Sequence, residues 1–596
     1  MKDSGHRNPH SKILTHLFFR LLPVQVLIVA MGSVNSIVDG VVAARGIDAG
    51  TVGVIGLYYS MVRVFDAVSA VLLGGSAVLC GRYLGRGDTQ KIKGMFSLNL
   101  TVAFLTGVVL TFVNTVLAPS ASVVLGADTA LQKSALAVYA RGYAIGIIPM
   151  LLAGQLAAFL QMEHSYTRNY VGVAVMIALN IILDILFVYV LHLELWGLAL
   201  ATSISNWAYF LVLVPHFFRK KTVFAYQFSG ILWERFKDMI VIGFPGAILV
   251  ICLAARYMVI NRLLIRYGGS GGLSAMSAFN MITGLFLALG LGAGAVVRML
   301  TSVFIGEDDR EAVPEIIRIV YTRVMPLCIL LGVLVYLFSG QLAGIFFRDP
   351  AAEVFRETKT LFSLYSVCIP LVLVCTVSSN YFQALRRNVF VNVMSVFDGF
   401  IGMVVPAVLL APRYGATGVW IALVLGIAAT ATLGFIYSIL CNRRIPRTLS
   451  EWLLIDQTFG PDTNPRLCET VRSTAEVSSV AEKVQGFCTQ HDVPPREAFY
   501  VALCLEEMAG NIADHGFQVG KGSHAADIRV ILKEDRKICT VIRDDCIPFD
   551  PLEWAQITSG GDPADNIGIR MVLRLASDVS YQNLLGMNVL SMEIDS

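Results

Sequence analysis

Segments of about 20 apolar residues, each long enough to cross roughly 30 Å of hydrocarbon, follow one another along this chain up to about residue 440. Twelve are predicted, at approximately 17–43, 52–80, 94–118, 135–161, 168–192, 196–218, 239–265, 273–304, 317–340, 358–384, 389–412 and 417–440. Nothing else restricts the fold so strongly: in lipid the backbone of a span must satisfy its own hydrogen bonds, and a helix does so within one segment. With 56% hydrophobic and 15% charged residues and a mean hydropathy of +0.67, the chain departs from soluble globular composition. The predicted class is therefore an all-α polytopic membrane protein up to residue 442. After a linker at 443–465, residues 466–596 are richer in charge and contain no run long enough to span. The polar, basic start "MKDSGHRNPHSKILTH" is followed by no small-residue cleavage site, so a retained first helix is expected rather than a signal peptide.

Basic residues near span ends stay on the cytoplasmic side. One set of loops carries Arg82, Arg86, Lys91 and Lys93, then Arg219, Lys220 and Lys221, then Arg386, Arg387, Arg443 and Arg444, while the opposite set is sparse. This predicts a multi-pass protein of the plasma membrane with both termini cytoplasmic. The run "FRKK" marks topology, with membrane lipid as its neighbour. A net charge of +3 gives no ground for a nucleic-acid partner. The eleven cysteines form no CxxC pair and are read as packing residues, not as a metal or redox centre.

The membrane part repeats internally. "GVIGLY" (53–58) matches "SAMSAF" (274–279), "YLGRGDTQK" (83–91) lies over "FIGEDDREA" (304–312), and Gly197 falls on Gly418, so residue n corresponds to n plus 221. Six spans separate the copies, which leaves both in the same orientation. Two six-helix lobes, 1–220 and 221–442, are expected about an axis along the membrane normal, with a central cavity between them.

Charges inside predicted spans cost at least about 3 kcal/mol each on insertion scales and so point to a pathway or a partner. They are Asp39 in the first span, Arg63 and Asp66 in the second, Asp184 with Asn180 in the fifth, and Arg256 with Asn261 in the seventh. Asn180 and Asp184 are four apart and share a helix face. The competing structural readings are self-pairing of Arg63 with Asp66, an interhelical hydrogen bond for Asn180 and Asp184, and an outer-mouth position for Asp39. The repeat sets Asp39 near Asn261, so the acid occurs in one copy only.

The segments "SIVDGVVAARGIDAGTVGVIGLYYSM", "LLGGSAVLCGRYLGRGD", "NIILDILFVYVLHLELWGLALAT" and "GATGVWIAL" make residues 12–442 resemble the multidrug and toxic compound extrusion family. The resemblance implies export of bulky, often cationic, small molecules driven by H⁺ or Na⁺ antiport. It also implies a cation site at Asp39, Asn180 and Asp184. Arg63, Asp66, Arg256 and Asn261 are candidates for the cavity, and the two arginines depart from a strictly cationic substrate.

A second polar set stands near the C-terminus. In "CLEEMAGNIADHGF", Glu507, Asn511 and His515 follow at four-residue steps, within an arc of about 80° on one helix. Alone, this reads as the solvated face of an amphipathic helix. Two alternating strands follow, "ADIRVILKED" and "KICTVIRDD", then a loop "CIPFDPLEW", a glycine-containing stretch opening a helix, and a last hairpin. A helix start of that kind favours phosphate.

Residues 468–594 resemble the histidine-kinase-like ATPase superfamily, most closely the anti-sigma-factor serine kinases, which implies a cytoplasmic α/β sandwich. The resemblance gives Asn511 the Mg²⁺ of ATP, Glu507 the role of base toward a serine hydroxyl, and Asp544 the adenine amino group. Gly568 begins the second glycine box, and Asn588 matches the closing strand. His515 joins the ATP-binding set, and a cytoplasmic regulatory protein of the anti-anti-sigma type becomes the implied partner. Cys546 stands where that family has glycine. With no GxxxxGK[ST] sequence, ATP is expected to regulate transport rather than power it. The alternatives are a membrane receptor whose soluble domain phosphorylates or sequesters a regulator, and a flippase for lipid-linked precursors.

Overall fold

The computed structural model describes residues 14–30, 42, 47, 49–86, 88–116, 130–163, 166–219, 222–307, 309, 312–347, 349–455, 465–517, 524–533, 537–557, 567–584 and 587–595. The membrane part is built from α1 (Leu14–Ala30), α2 (Ala49–Gly85), α3 (Thr89–Val116), α4 (Ala130–Ala144), α5 (Ile147–Met162), α6 (Tyr166–Ile185) and α7 (Glu194–Leu213). There follow α8 (Phe236–Tyr267), α9 (Gly269–Gly306), α10 (Ala312–Ile319), α11 (Met325–Leu337), α12 (Glu353–Tyr365), α13 (Cys368–Ala384), α14 (Asn388–Val396) and α15 (Gly402–Asn442). By length and composition, eight helices among the described residues can cross a membrane, or ten if each of two bent pairs is one span. Apolar side chains such as Phe112, Leu211, Ile251 and Leu409 remain exposed, as a lipid-facing surface requires.

Helix ends recur at the spacing of the repeat. Gly85 and Gly306 close α2 and α9, Val116 and Leu337 close α3 and α11, and Ala144 and Tyr365 close α4 and α12, each pair 221 residues apart. The spans expected to be continuous over 135–161 and 358–384 are both bent, by 48° and 50°. Pro149 and Pro370 explain the shared bend: each lacks the N–H that would bond to the carbonyl four residues earlier, at the break. The last pair of expected spans, 389–412 and 417–440, runs through helical residues interrupted at Gly415, whose φ of 60° and ψ of −137° break the helix.

Glycine brings α2 against its neighbours. A Cβ on Gly75 would lie 1.9 Å from the Met239 carbonyl oxygen of α8. At the other seam, a Cβ on Gly85 would lie 2.1 Å from Val303 O and 2.6 Å from Glu307 N. Such backbone approach lets small residues replace side-chain packing between membrane helices.

The soluble part is a five-stranded antiparallel sheet in the order β1–β2–β3–β5–β4. Its strands are β1 (Arg466–Val471), β2 (Ala526–Leu532), β3 (Lys537–Asp544), β4 (Asp578–Leu584) and β5 (Met587–Asp595). Its helices are α16 (Thr474–Gln490), α17 (Pro495–Asn511), α18 (Pro551–Ile557) and α19 (Ile567–Leu575). Alternation sends Ile528, Val530, Ile538, Ile542, Leu590 and Met592 to one face, where they share a core with Val480, Leu505, Met508 and Val572 of the helices. β1 was not expected from its sequence: six residues gain strand structure from pairing with β2. Part of the expected loop "CIPFDPLEW" is instead α18, capped by Asp550 Oδ1, which accepts from Leu552 N (2.9 Å) and Glu553 N (3.3 Å).

The opposite face of the sheet meets the membrane part. Arg529 Nη2 donates to Glu307 O (2.9 Å) and its Nη1 lies 3.2 Å from Asp309 Oδ2. Arg543 is paired with the Glu307 carboxylate and reaches Asp309 Oδ2 at 3.4 Å, with its guanidinium 4.9 Å from the Phe304 ring centroid. In the linker, Leu453 O accepts from Tyr381 Oη of α13 at 2.9 Å.

Candidate ion pathway and nucleotide site

Asn180 and Asp184 on α6, and Val188 on the wide turn Leu186–Val190 that continues it, are all buried at four-residue spacing, with both polar residues fully enclosed. The common face read from sequence thus points inward. Neither atom of the Asn180 amide has a hydrogen-bond partner among the described residues, an expensive arrangement unless a ligand or water is exchanged there. Asp39 lies outside the described residues.

Arg63 Nη1 and Asp66 Oδ2 are 3.6 Å apart and each side chain is about half exposed, 48% and 46%. That is the self-pairing reading, and it leaves the pair little to do with burial cost. Arg256 does not turn toward Asn261. The two are five residues apart, about 140° round the helix, and Asn261 is exposed. Arg256 Nη1 instead donates to the carbonyl of Asp398 at 3.1 Å.

Asp398 is a further acid within a predicted span, one the sequence reading did not single out. It sits on the wide helical turn Phe397–Ile401 between α14 and α15, within the predicted span 389–412. The signal was present in "SVFDGF" and is the same as that used for Asp184: an acid inside an apolar run. A polar network was also missed: Tyr58 Oη donates to Asn114 Oδ1 (3.1 Å), Asn114 Nδ2 to Ala140 O (2.7 Å), and Asn99 Nδ2 to Gln155 Oε1 (3.1 Å). Uncharged residues of this kind are too common in spans to be selected by composition.

In the soluble part, Glu507 and Asn511 share a face of α17, with Asn511 Nδ2 3.4 Å from Glu507 Oε1. The Glu507 carboxylate reaches the first turn of α19, where a Cβ on Gly568 would lie 1.8 Å from Oε1. The acid lies against the start of that helix, where an anion is favoured. His515 lies on a wide π-type turn, Ile512–Gly516, rather than on regular α-helix, and is exposed.

Asp544 ends β3, buried. Its Oδ1 accepts from Asn588 Nδ2 (2.7 Å) and from Cys546 N (2.9 Å). Asn588 Oδ1 in turn accepts from Tyr581 Oη and Asn583 Nδ2, both at 2.7 Å. Burial pushes the Asp544 carboxyl above the usual aspartate range, against the hydrogen bonds from Asn588 and Cys546. The buried Cys546 thiol is pushed up by burial and by Asp544 and Asp545. Beside it, the ligand atoms of His524, Asp545 and Cys546 lie within 4.8 Å of one another, with His524 Nδ1 3.2 Å from Asp545 Oδ1. This trio is of metal-ligand chemistry, and no spacing rule finds it, because the fold alone brings His524 to Cys546.

Apolar helices in repeated bent pairs are thus joined to a helix-backed antiparallel sheet with a buried acid at the end of a strand. The MatE family model matches residues 245–408, and that of the histidine kinase-like ATPase domain matches residues 470–594. The chain thus carries a MatE region within its apolar helices and a C-terminal histidine kinase-like ATPase domain, and it shares the fold of a solved MATE structure. It is 26% identical to the multidrug export protein MepA of Staphylococcus saprophyticus over 310 residues, 48% of this chain and 64% of that protein. Against MepA of Staphylococcus aureus it is 21% identical over 467 residues, 76% of this chain and 99% of the other. A MOP superfamily transporter from Pyrococcus furiosus, described by a reverse polarity of its binding pocket that suggests a different function, shares the fold. Its TM-score is 0.67 at 20% identity, covering 73% of this chain and 97% of that one.

Proposed function

We propose that this chain is a cation-coupled antiporter that exports small molecules from the cytoplasm, with a C-terminal domain that binds ATP and regulates it. The observation that carries the reading is the enclosed Asn180–Asp184 face of α6 in a MATE fold. A carboxylate and an unsatisfied amide there offer oxygens to H⁺ or Na⁺, with Asp39 as the third member. Burial favours the protonated acid and a bound cation the ionised one, so occupancy biases one lobe arrangement over the other.

The helices support twelve spans. Dividing Asn388–Asn442 at Gly415 and adding Leu14–Ala30 to the ten spans raises the total to twelve. The boundaries 1–220, 221–442, 443–465 and 466–596 and cytoplasmic termini belong to the same reading. MepA, named a multidrug export protein, supports xenobiotic cargo. Arg298 of α9 adds a qualification about charge. Its Nη1 donates to the neutral Gln383 Oε1 at 3.1 Å, and among the described residues it has no ion-pair partner. A half-buried guanidinium without an acid favours a cargo that carries an anionic or acceptor group.

In the soluble domain the residues fit a nucleotide with two obstructions. Asp544 can accept from an adenine amino group once the Cys546 thiol turns aside, Asn511 offers an amide oxygen to Mg²⁺, and α19 receives phosphates once Glu507 moves from Gly568. Bound ATP would supply a transferable phosphoryl group. Glu507, so displaced, is placed to take the proton of a hydroxyl on a partner protein.

The reading is tested in sealed vesicles with the ion gradient and nucleotide varied separately. A proton or sodium gradient alone should drive dye efflux, and Asp184→Asn should abolish it. Efflux that persists in Asp184→Asn, or that requires ATP hydrolysis, overturns the antiporter reading.

A further inference from the structure

We infer that the ATPase domain is a nucleotide-released latch on the closure between α2 and α9, engaged through Arg529 and Arg543 on the Glu307–Asp309 loop. The inference rests on the nucleotide-binding reading above. Its first support is the make-up of the contact. Two arginines on the outer sheet face, Arg529 on β2 and Arg543 on β3, grip one carbonyl and two carboxylates. Arg543 and Asp309 are both nearly enclosed, 6% and 7% exposed. Buried, multiply bonded charge pairs tolerate little displacement, since losing one partner strands the other.

The second support is what Glu307 touches. Its backbone N lies 2.6 Å from where a Cβ on Gly85 would stand, and Gly306 packs equally tightly on Arg82 O. The residue gripped by the arginines is therefore part of the seam that joins α2 to α9. Opening that seam moves Glu307, and moving Glu307 breaks the grip.

The third support links the grip to the nucleotide site. Arg543 and Asp544 are consecutive on β3 and, by the alternation of a strand, face opposite sides of the sheet. With the grip engaged, the site is filled by the chain's own groups: Asp544 Oδ1 accepts from Cys546 N at 2.9 Å and Glu507 lies against Gly568. Adenine and phosphate must displace both, and the shift at the end of β3 loosens the neighbouring arginine. Nucleotide thus favours the released arrangement, and by reciprocity release favours nucleotide.

The test uses the full chain in lipid nanodiscs and titrates Mg²⁺ with the non-hydrolysable analogue AMP-PNP. Arg529→Gln with Arg543→Gln should bind at least about fivefold more tightly than the wild type. Glu307→Gln with Asp309→Asn should do the same with the ATPase domain unaltered, and the amide put in place of the Asp309 carboxylate retains an oxygen to accept from Ala312 N. In vesicles, AMP-PNP should stimulate ion-driven efflux by the wild type and leave both variants, already released, unchanged. Equal affinities in wild type and folded variants overturn the latch while leaving nucleotide binding in place. Failure of every chain to bind overturns the nucleotide reading, and the latch with it.

Discussion

Asn588 Nδ2 donates to Asp544 Oδ1 over 2.7 Å at the last paired rung of β3 and β5, and both side chains are buried. The asparagine holds the acid in place and is held in turn by Tyr581 and Asn583. Replacing Asn588 by Ala leaves a buried carboxylate short of a donor, a loss of about 1–3 kcal/mol. The soluble domain should melt earlier by scanning calorimetry, and adenine nucleotide affinity should fall about tenfold or more.

Cys546→Gly should act in the opposite direction. It removes the thiol that competes for Asp544 and restores backbone access to the base. Fluorescent ATP titration should show tighter binding, with no comparable gain for a pyrimidine nucleotide. Equal gains for both bases would mean that the thiol does not contest the adenine position.

Acid should weaken nucleotide binding earlier than an ordinary aspartate would allow. Burial raises the Asp544 pKa, so the ionised form that accepts from adenine is lost as pH falls through that raised value. The sign for folding is reversed: a carboxyl whose folded pKa is raised gains stability on protonation. Binding should therefore decline in a pH window above the usual aspartate range while this group's contribution to domain stability rises. Asp544→Asn should remove both trends.

Glu163 controls a different acid response. It caps α5, with Oε2 2.6 Å from His216 Nε2, and accepts from Thr222 Oγ1 (2.7 Å), Phe224 N (3.0 Å) and Val223 N, fastening the connector between α7 and α8. Burial opposes its charge, but the hydrogen bonds from His216, Thr222 and Phe224 hold its pKa below the usual glutamate value. The stabilisation is complete above about pH 4.5 and is lost as pH falls through the lower, folded pKa. Glu163→Ala should cost about 3 kcal/mol or more, read as a lower melting temperature in detergent, and should flatten the loss of stability on acidification.

Gly75→Ala tests the seam between α2 and α8. Its Cβ would meet the Met239 carbonyl at 1.9 Å, which only backbone displacement can relieve. The variant should lose thermal stability by several kcal/mol, and a normal melting curve would show that the two helices do not pack this closely.

By itself the sequence determined the class of the membrane part, because span length and backbone satisfaction leave a chain of this hydropathy one solution. It determined the repeat, since the 221-residue offset is written in matching segments and returns in the helix ends. Four-residue spacing sufficed for the common faces of Asn180 with Asp184 and of Glu507 with Asn511, because helix periodicity is local. Tertiary structure decided what periodicity cannot carry. The pairing of Arg256 with Asp398, the meeting of His524 with Cys546, the strand β1 and the grip of Arg543 on Glu307 all join residues distant in sequence. Their contacts arise from packing one element against another, and no local pattern encodes which surfaces will meet.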